Sequence, residues 1–144
     1  MEADPAYALQ KAFYAILTGQ AFQTACGVTV TVYDHIPEKA VAPYVVISDI
    51  QTDGDAAQAY DGSDVHSNIM VWSTKPGKVE LGMIANQVRV FLAPRSDRGP
   101  PFDLTASGHR LITWKHQQTL RMDDTDGISV KAAVKIEYLT QPLS

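Results

Sequence analysis

The feature that most constrains the fold is a strict two-residue alternation close to the C-terminal end of the chain. In residues 128–138 apolar and aromatic side chains occupy every second position, and Ser, Lys, Ala and Glu occupy the positions between them. Because successive side chains of a β-strand point to opposite faces, this period predicts a strand in a sheet with one packed face and one wet face. Residues 28–33 alternate Val with Thr and Tyr, which predicts another half-buried strand.

Apolar residues at helical spacing predict two helices. The first covers about residues 5–18, opened by Asp4-Pro5 and closed by Gly19 with a positive φ, and the second runs from near Pro76 to Leu92. Further strands are predicted at residues 44–50, about 66–73 and about 109–121. This order predicts one domain over residues 1–144 with an α+β fold, a mainly antiparallel sheet of about five strands with two helices packed on one face. Only the connection across the second helix is expected to be parallel.

Composition and charge limit the partners that the chain can have. The formal net charge is −4, so we expect no basic stripe that would neutralise nucleic-acid phosphates. Cys26 is the only cysteine, which excludes an intrachain disulfide, and we expect it to be a buried small side chain. No signal peptide is predicted, and the apolar runs are far shorter than the about 18 residues of a membrane span.

The sequence shows no recognisable metal-binding pattern. The histidines lie too far from one another and from Cys26 for a common ligand spacing; they are His35, His66, His109 and His116. Residues 124–127 fail as a calcium loop, because Met122 and Ala133 occupy the positions where the first and last ligands belong, and we predict a hairpin turn there instead. We therefore predict no metal ion and no cofactor.

Catalytic patterns are equally weak. The chain has no Gly-x-Ser-x-Gly elbow and no Walker phosphate loop. Asp34 and Glu38 flank Pro37, but two carboxylates in a loop are usually solvated, and general acid–base catalysis needs a pKa raised by burial. We predict no catalytic residue, so function is expected to lie in surfaces.

Two long loops are candidates for such surfaces. From Asp49 to Asp64 there are five aspartates and no Lys or Arg, which predicts a mobile acidic loop or a long hairpin tip. Residues 94–108 hold three prolines and two glycines, and loops of this length are usually functional or disordered. We expect the second loop to become ordered only on docking.

Four short motifs occur in a fixed order along most of the chain. They are Ala8-Leu9 through Leu17, Val32-Tyr33-Asp34-x-x-Pro37, Pro43-Tyr44-Val45-x-Ile47 and Val71-Trp72-Ser73. Their order and spacing resemble those of the tail-completion, or tail-terminator, proteins of long-tailed bacteriophages and gene transfer agents. The segment after the third motif is rich in Ala here, whereas the family usually has aromatic residues there.

The resemblance implies a structural virion protein that caps the head-proximal end of the tail tube as a ring, stops tube polymerisation and joins the tail to the head connector. Its implied partners are further copies of itself in a ring of about six, the major tail tube protein and the head–tail connector or stopper protein. DNA would pass through the lumen without specific binding, and assembly would take place in the bacterial host cytoplasm. The interface candidates are Tyr33, Asp34, Pro37, Pro43, Tyr44, Asp53, Asp55, Asp61, Asp64, Arg95 and Arg98.

Two alternatives remain open from the sequence. A head-completion or stopper protein shares the neck of the particle and its ring geometry, and it would attach to filled heads rather than to free tails. A small hydrolase would use Asp34, His35 or His66, although neither a nucleophile elbow nor a ligand cluster accompanies them.

Overall fold

The structure is a computed structural model that describes residues 5–34, 40–54, 62–74, 79–123 and 129–142. Its helices are α1 (Pro5–Leu17), α2 (Gln20–Cys26) and α3 (Val79–Leu92), and its strands are β1 (Thr31–Tyr33), β2 (Tyr44–Gly54), β3 (Ser63–Ser73), β4 (His109–Asp123) and β5 (Val130–Pro142). Two short 3-10 helices, Ser96–Arg98 and Thr105–Ser107, lie between α3 and β4. No helix in these segments is long and apolar enough to cross a membrane.

The strands form one mixed sheet in the order β1-β2-β3-β5-β4. The α+β class is confirmed, but the parallel pair is not the one predicted. β1 is parallel to β2, with Thr31 beside Tyr44, while the other three pairs are antiparallel. β3 and β4, which α3 connects, run in the same direction but are not neighbours, because β5 lies between them.

The prediction of two helices missed α2. Phe22 and Cys26, four residues apart, are its buried residues. Gly27, at a φ of 74°, ends the helix and donates its backbone N–H to the carbonyls of Gln23 and Thr24. The Gln23 side chain then accepts the Val30 N–H at 2.7 Å and donates to the Val30 carbonyl at 2.8 Å and the Leu17 carbonyl at 3.0 Å.

The presence of α2 also moves two predicted boundaries. The residues after its C-terminus are not paired in the sheet until Thr31, so β1 is shorter than the strand predicted from residue 28. Gly19 precedes α2 as its N-cap with a φ of −73°, so the expected positive φ there is wrong. α1 ends at Leu17, one residue earlier than predicted, and the Thr18 hydroxyl donates to the Tyr14 carbonyl at 2.6 Å.

Buried residues of the helices and of the strands form one core cluster. The predicted stripes supply buried residues of α1 and α3, among them Leu9, Phe13, Leu81, Ile84 and Val88. On β5 the predicted alternation is confirmed, because Ala132, Val134, Ile136 and Tyr138 are all buried. The Tyr138 ring lies 5.5 Å from the Phe13 ring, and its hydroxyl donates to the Leu92 carbonyl at 2.7 Å.

The segment between α3 and β4 is tied to this core. Phe102 packs edge-on against Phe13 at 5.9 Å between ring centroids and also contacts Tyr138 at 5.6 Å. Leu104 is buried, and the indole N–H of Trp114 donates to the Pro94 carbonyl at 2.8 Å. The loop therefore has a defined conformation in the isolated chain, contrary to the expectation that it orders only on docking.

Candidate functional site

The two tyrosines of the sequence motifs meet at one end of the sheet. Tyr33 ends β1, and Tyr44 begins β2, directly after a cis peptide bond between Ala42 and Pro43. Their rings make an edge-to-face contact at 5.7 Å, with an angle of 69° between the ring planes. The second and third motifs, which lie about ten residues apart in the sequence, thus contact each other across the parallel strand pair.

Trp72 and Lys131 continue this contact across the next two strands. Tyr44 pairs with Trp72 on β3, and the two rings stack at 5.8 Å with 13° between their planes. Trp72 pairs in turn with Lys131 on β5, whose Nζ lies 5.0 Å from the centroid of the indole ring. We call these four side chains the aromatic row; a cation over an indole is the most favourable of the cation–π arrangements.

The sheet face that carries the aromatic row is opposite the face that carries Tyr138, because Lys131 and Tyr138 are an odd number of residues apart on β5. We call it the open face. A second, apolar set of residues crosses it beside the aromatic row, where Val46 pairs with Met70, Met70 with Ala133, and Ala133 with Leu120. Leu120 is exposed, and Met70 is half-buried.

Two polar atoms on the open face of β3 lack partners. The Trp72 Nε1 and the Asn68 Oδ1 are both buried, and neither has a hydrogen-bond partner within the described part of the chain. Buried polar groups are normally satisfied, so each such atom requires an explanation. Their position on the open face, rather than in the core, indicates that this face is incomplete in the isolated chain.

The described ends of the acidic segment, residues 49–54 and 62–64, lie at one end of the antiparallel pair of β2 and β3. β2 extends to Gly54 and β3 begins at Ser63, so Asp53 and Asp64 lie directly opposite each other on paired strands. The sequence predicted either a mobile loop or a hairpin tip here, and residues 55–61, which would form either one, lie outside the described residues. The other aspartates predicted to lie in contacts at this tip, Asp55 and Asp61, are outside the described residues, as is Pro37 of the second motif.

His66 is placed between two carboxylates on this hairpin. Its Nε2 lies 3.6 Å from the Asp53 Oδ2 and 3.7 Å from the Glu137 Oε2. The Asp53 Oδ1 also accepts a hydrogen bond from the Gln51 Nε2 at 3.1 Å. Asp53 and Asp64 lie opposite each other, where like charges destabilise a sheet, and the hydrogen bond from Gln51 stabilises the Asp53 carboxylate. No group of His, Cys, Asp and Glu within the described ranges is suited to hold a metal ion.

Arg95 and Arg98 lie elsewhere. They adjoin the short helix Ser96–Arg98, where the Arg95 Nη2 lies 3.4 Å from the Asp97 Oδ2, both side chains being exposed. Such a surface ion pair contributes little to stability. The indole N–H of Trp114 on β4 donates to the carbonyl of Pro94, which precedes Arg95. The two arginines therefore lie on the β4 side of the sheet, away from the motif tyrosines.

A groove beside β1 adds residues that the sequence interpretation missed. It has a volume of about 610 Å³ and is lined by Tyr7, Gln10, Lys11, Tyr14, Ala15, Val32, Tyr33, Asp34 and Ile47. Tyr7 and Tyr14 are 58% and 51% exposed, although large aromatic side chains are usually buried. Their spacing of seven residues, two helical turns on the side of α1 away from its apolar stripe, was the available signal.

The thiol of Cys26 is not activated as a nucleophile. Burial raises the pKa of the Cys26 thiol to about 11, so it stays protonated and unreactive near neutral pH. Burial and the nearby Arg89 lower the pKa of His116, whose Nε2 lies 2.6 Å from the Thr119 hydroxyl.

The arrangement of exposed aromatic side chains, open strand edges and charged hairpin residues is suited to protein–protein contacts.

Comparison with known proteins gives a family and two similar structures. The family model of tail completion protein gp17 matches residues 8–141. A chain from a structure described as the virion of a native gene transfer agent particle is similar over 94% of this chain and 96% of its own length, with 20% identity and a TM-score of 0.69. The gp17 protein of bacteriophage SPP1 is similar over 93% of this chain and 89% of its own, with 18% identity and a TM-score of 0.50. No curated protein matches the chain.

Proposed function

Because the chain belongs to the tail completion protein gp17 family, we propose that it caps the head-proximal end of a phage-type tail tube as a ring, stops tube polymerisation and joins the tail to the head connector. The protein has a structural role in the tail of a phage or gene transfer agent virion. The family match over residues 8–141 carries the proposal, since it includes every helix and strand described except the first turn of α1 and the last residue of β5.

The distribution of side chains supports an assembly role. Phe13 of α1 and Leu92 of α3 both contact Tyr138, and we place both helices on that face of the sheet. The open face then carries the half-buried rings of Tyr33 and Trp72 and two polar atoms without partners among the described residues. Aromatic residues are enriched in protein interfaces, and a tail tube ring or a connector protein would cover them.

The ring that we propose has about six copies, each with one domain over residues 1–144, and surrounds the path of the DNA. The acidic hairpin is its lumen surface: Asp53 and Asp64 share one face near the hairpin tip. Negative charge there repels the phosphate backbone, so DNA slides without being bound. The ring assembles in the cytoplasm of the bacterial host and stays in the virion.

Deletion of the gene in its own particle system tests the proposal. Negative-stain electron microscopy is expected to show filled heads beside unjoined tails of excessive length, because nothing stops the polymerisation of the tube. A plasmid copy of the wild-type gene should restore joined particles with tails of uniform length. Filled heads that leak DNA beside tails of normal length would favour a stopper protein, and normal joined particles would refute a neck function altogether.

The lumen assignment has a separate test. Asp53→Asn combined with Asp64→Asn removes two negative charges from the hairpin without changing the size of the side chains, and DNA transfer by joined particles should slow or stall. Asp97→Asn removes an exposed carboxylate from the loop before β4 and serves as the control. Unchanged transfer by joined particles of the double variant would contradict the lumen position of the hairpin.

A further inference from the structure

Among the described residues, both edges of the sheet lack a further strand partner. β4 pairs with β5 on one side only, along its length from His109 to Asp123. At the other edge β1 covers only the first three residues of β2, from Tyr44 to Val46. From Ile47 to Gly54, β2 has no strand partner on that side among the residues described. Open edges are templates for pairing with another chain, and proteins normally cover or blunt them.

The two edges carry opposite charge. Residues 31–34 and 40–54, which form the β1–β2 edge, contain Asp34, Asp49 and Asp53 and no Lys or Arg. β4 contains Arg110, Lys115 and Arg121 against a single carboxylate, Asp123. Within the described parts of the chain, none of these three cations forms an ion pair.

The acidic edge also has a cavity beside it. The groove beside β1, which α1 also lines, continues from Tyr33 past Asp34 and Ile47. It leads into a second depression of about 390 Å³, which Ser48 and Ile50 line. The exposed rings of Tyr7 and Tyr14 form one wall of the first groove. A strand that added to β2 at Ile47–Gly54 would therefore pass beside α1 and cover the mainly apolar lining of the first groove and the mainly polar lining of the second depression.

We propose that the occupant of this edge is a second copy of the chain, with β4 of one subunit docked along the β1–β2 edge and the α1 groove of the next. This inference rests on the proposed ring and identifies the contact that closes it. Charge complementarity supports it, because the cationic edge of each copy meets the acidic edge of its neighbour. The contact uses two different surfaces of one chain, and such head-to-tail contacts close into rings when the rotation between copies allows it.

The strand directions are compatible with this contact. β2 and β5 run in the same direction because each is antiparallel to β3, and β4 is antiparallel to β5. When neighbouring copies are related by a rotation about an axis roughly along the strands, β4 of one copy meets β2 of the next in antiparallel orientation. Antiparallel pairing forms backbone hydrogen bonds perpendicular to the strands, and it removes both open edges from every copy.

Charge reversal in the particle-forming cells tests the contact. One variant carries Arg110→Glu and Lys115→Glu on β4, and a second carries Asp34→Lys and Asp49→Lys on the β1–β2 edge. Like charges across an interface cost enough that each variant alone should lower the number of joined particles at least about tenfold. A third variant with all four substitutions should restore joining, because its reversed edges are again complementary. Asn86→Glu, which adds a negative charge at an exposed position of α3 rather than at a strand edge, is the control and should behave as wild type.

The quadruple variant distinguishes a lost contact from a lost fold, because a chain that the substitutions unfold cannot be rescued by further substitutions. Circular dichroism melting of each purified variant provides a second check on folding. If the four-residue variant folds but does not restore joined particles, or if the two-residue variants join particles normally, the contact is wrong. That outcome, together with loss of joining on gene deletion, would refute the contact and leave the proposed function intact.

Co-expression of the two-residue variants gives a second readout. In a mixed ring in which the two variants alternate, each reversed edge meets a reversed edge and each unchanged edge meets an unchanged one, so every contact is again complementary. Joined particles should therefore return when the ring has an even number of subunits. A symmetric contact between two β4 strands predicts a different pattern: since the other variant and the wild type both carry an unchanged β4, the β4 variant would then be rescued by wild-type subunits too. Rescue of that kind would overturn the head-to-tail arrangement.

Discussion

The hydroxyl of Tyr138 is the single polar group whose removal should most clearly weaken the core. Tyr138 is fully buried, and its hydroxyl donates to the Leu92 carbonyl at 2.7 Å. Leu92 is the last residue of α3, where carbonyls have no partner within the helix. Tyr138→Phe keeps the ring and its contacts with Phe13 and Phe102 but leaves this buried carbonyl without its donor.

The expected cost follows from that geometry. Leaving a buried hydrogen-bonding group unsatisfied costs about 1–3 kcal/mol. With an unfolding entropy of about 2.1 cal/mol/K per residue, a chain of 144 residues loses about 3 °C of Tm for each kcal/mol. Tyr138→Phe should therefore lower Tm by about 3–10 °C, and it should shift the urea midpoint without changing the slope.

Thermal and urea melts of the purified chain, followed by circular dichroism, measure the effect. Tyr7→Phe is the matched control, because the Tyr7 side chain is 58% exposed and its hydroxyl can be hydrated in both states. It should change the free energy of unfolding by less than about 0.5 kcal/mol. Equal melting curves for wild type and Tyr138→Phe would refute the assignment of the 2.7 Å hydrogen bond as a stabilising contact.

Four further predictions concern the titratable groups and α2. Burial raises the pKa of Tyr138 well above 10.0 and that of Cys26 from 9.0 to about 11. Because the unfolded chain loses these protons first, the free energy of unfolding should fall as pH rises above about 9. Tyr138→Phe should flatten the alkaline end of a Tm-versus-pH curve. Cys26 should react with a thiol reagent only as fast as the protein unfolds, and prompt labelling of the native chain would show that the thiol is accessible. Because the pKa of His116 is lowered in the folded chain, the unfolded chain binds this proton more readily. The contribution of His116 to stability should therefore be complete above pH 6.5 and decline below it, and His116→Gln should reduce that decline. Gln23→Ala removes the side chain that joins Leu17 and Val30, and it should cost about 1–3 kcal/mol in a urea melt, whereas the exposed Gln20→Ala should cost much less.

Much of the fold was predictable from local patterns. The stripes of α1 and α3 and the alternation of β5 depend only on the geometry of one element, so a periodic arrangement of apolar residues is enough to identify them. The missed α2 is short, and its identifying features are Phe22, Cys26 and Gly27. A helix of seven residues is marginal by itself, and the hydrogen bonds of Gln23 to Leu17 and Val30 anchor it to the rest of the chain.

The candidate site was only partly predictable. Tyr33 and Tyr44 were identified because they belong to the motifs, but Trp72 and Lys131 complete the aromatic row from strands that follow much later in the sequence. Arg95 and Arg98 were grouped with the tyrosines as interface candidates, and the structure places them at the other side of the sheet. Neither outcome is visible in a one-dimensional pattern, since both depend on which strands are neighbours.

The sequence by itself determined the class of each major element, the residues that enter the core and the family to which the chain belongs. Only the tertiary structure decided that β1 is parallel to β2 and that β5 separates β3 from β4. The physical reason is that side-chain periodicity records which face of an element is buried, whereas strand order and register are determined by contacts between residues that are far apart in the chain. The aromatic row, the acidic hairpin and the two oppositely charged edges all follow from those contacts.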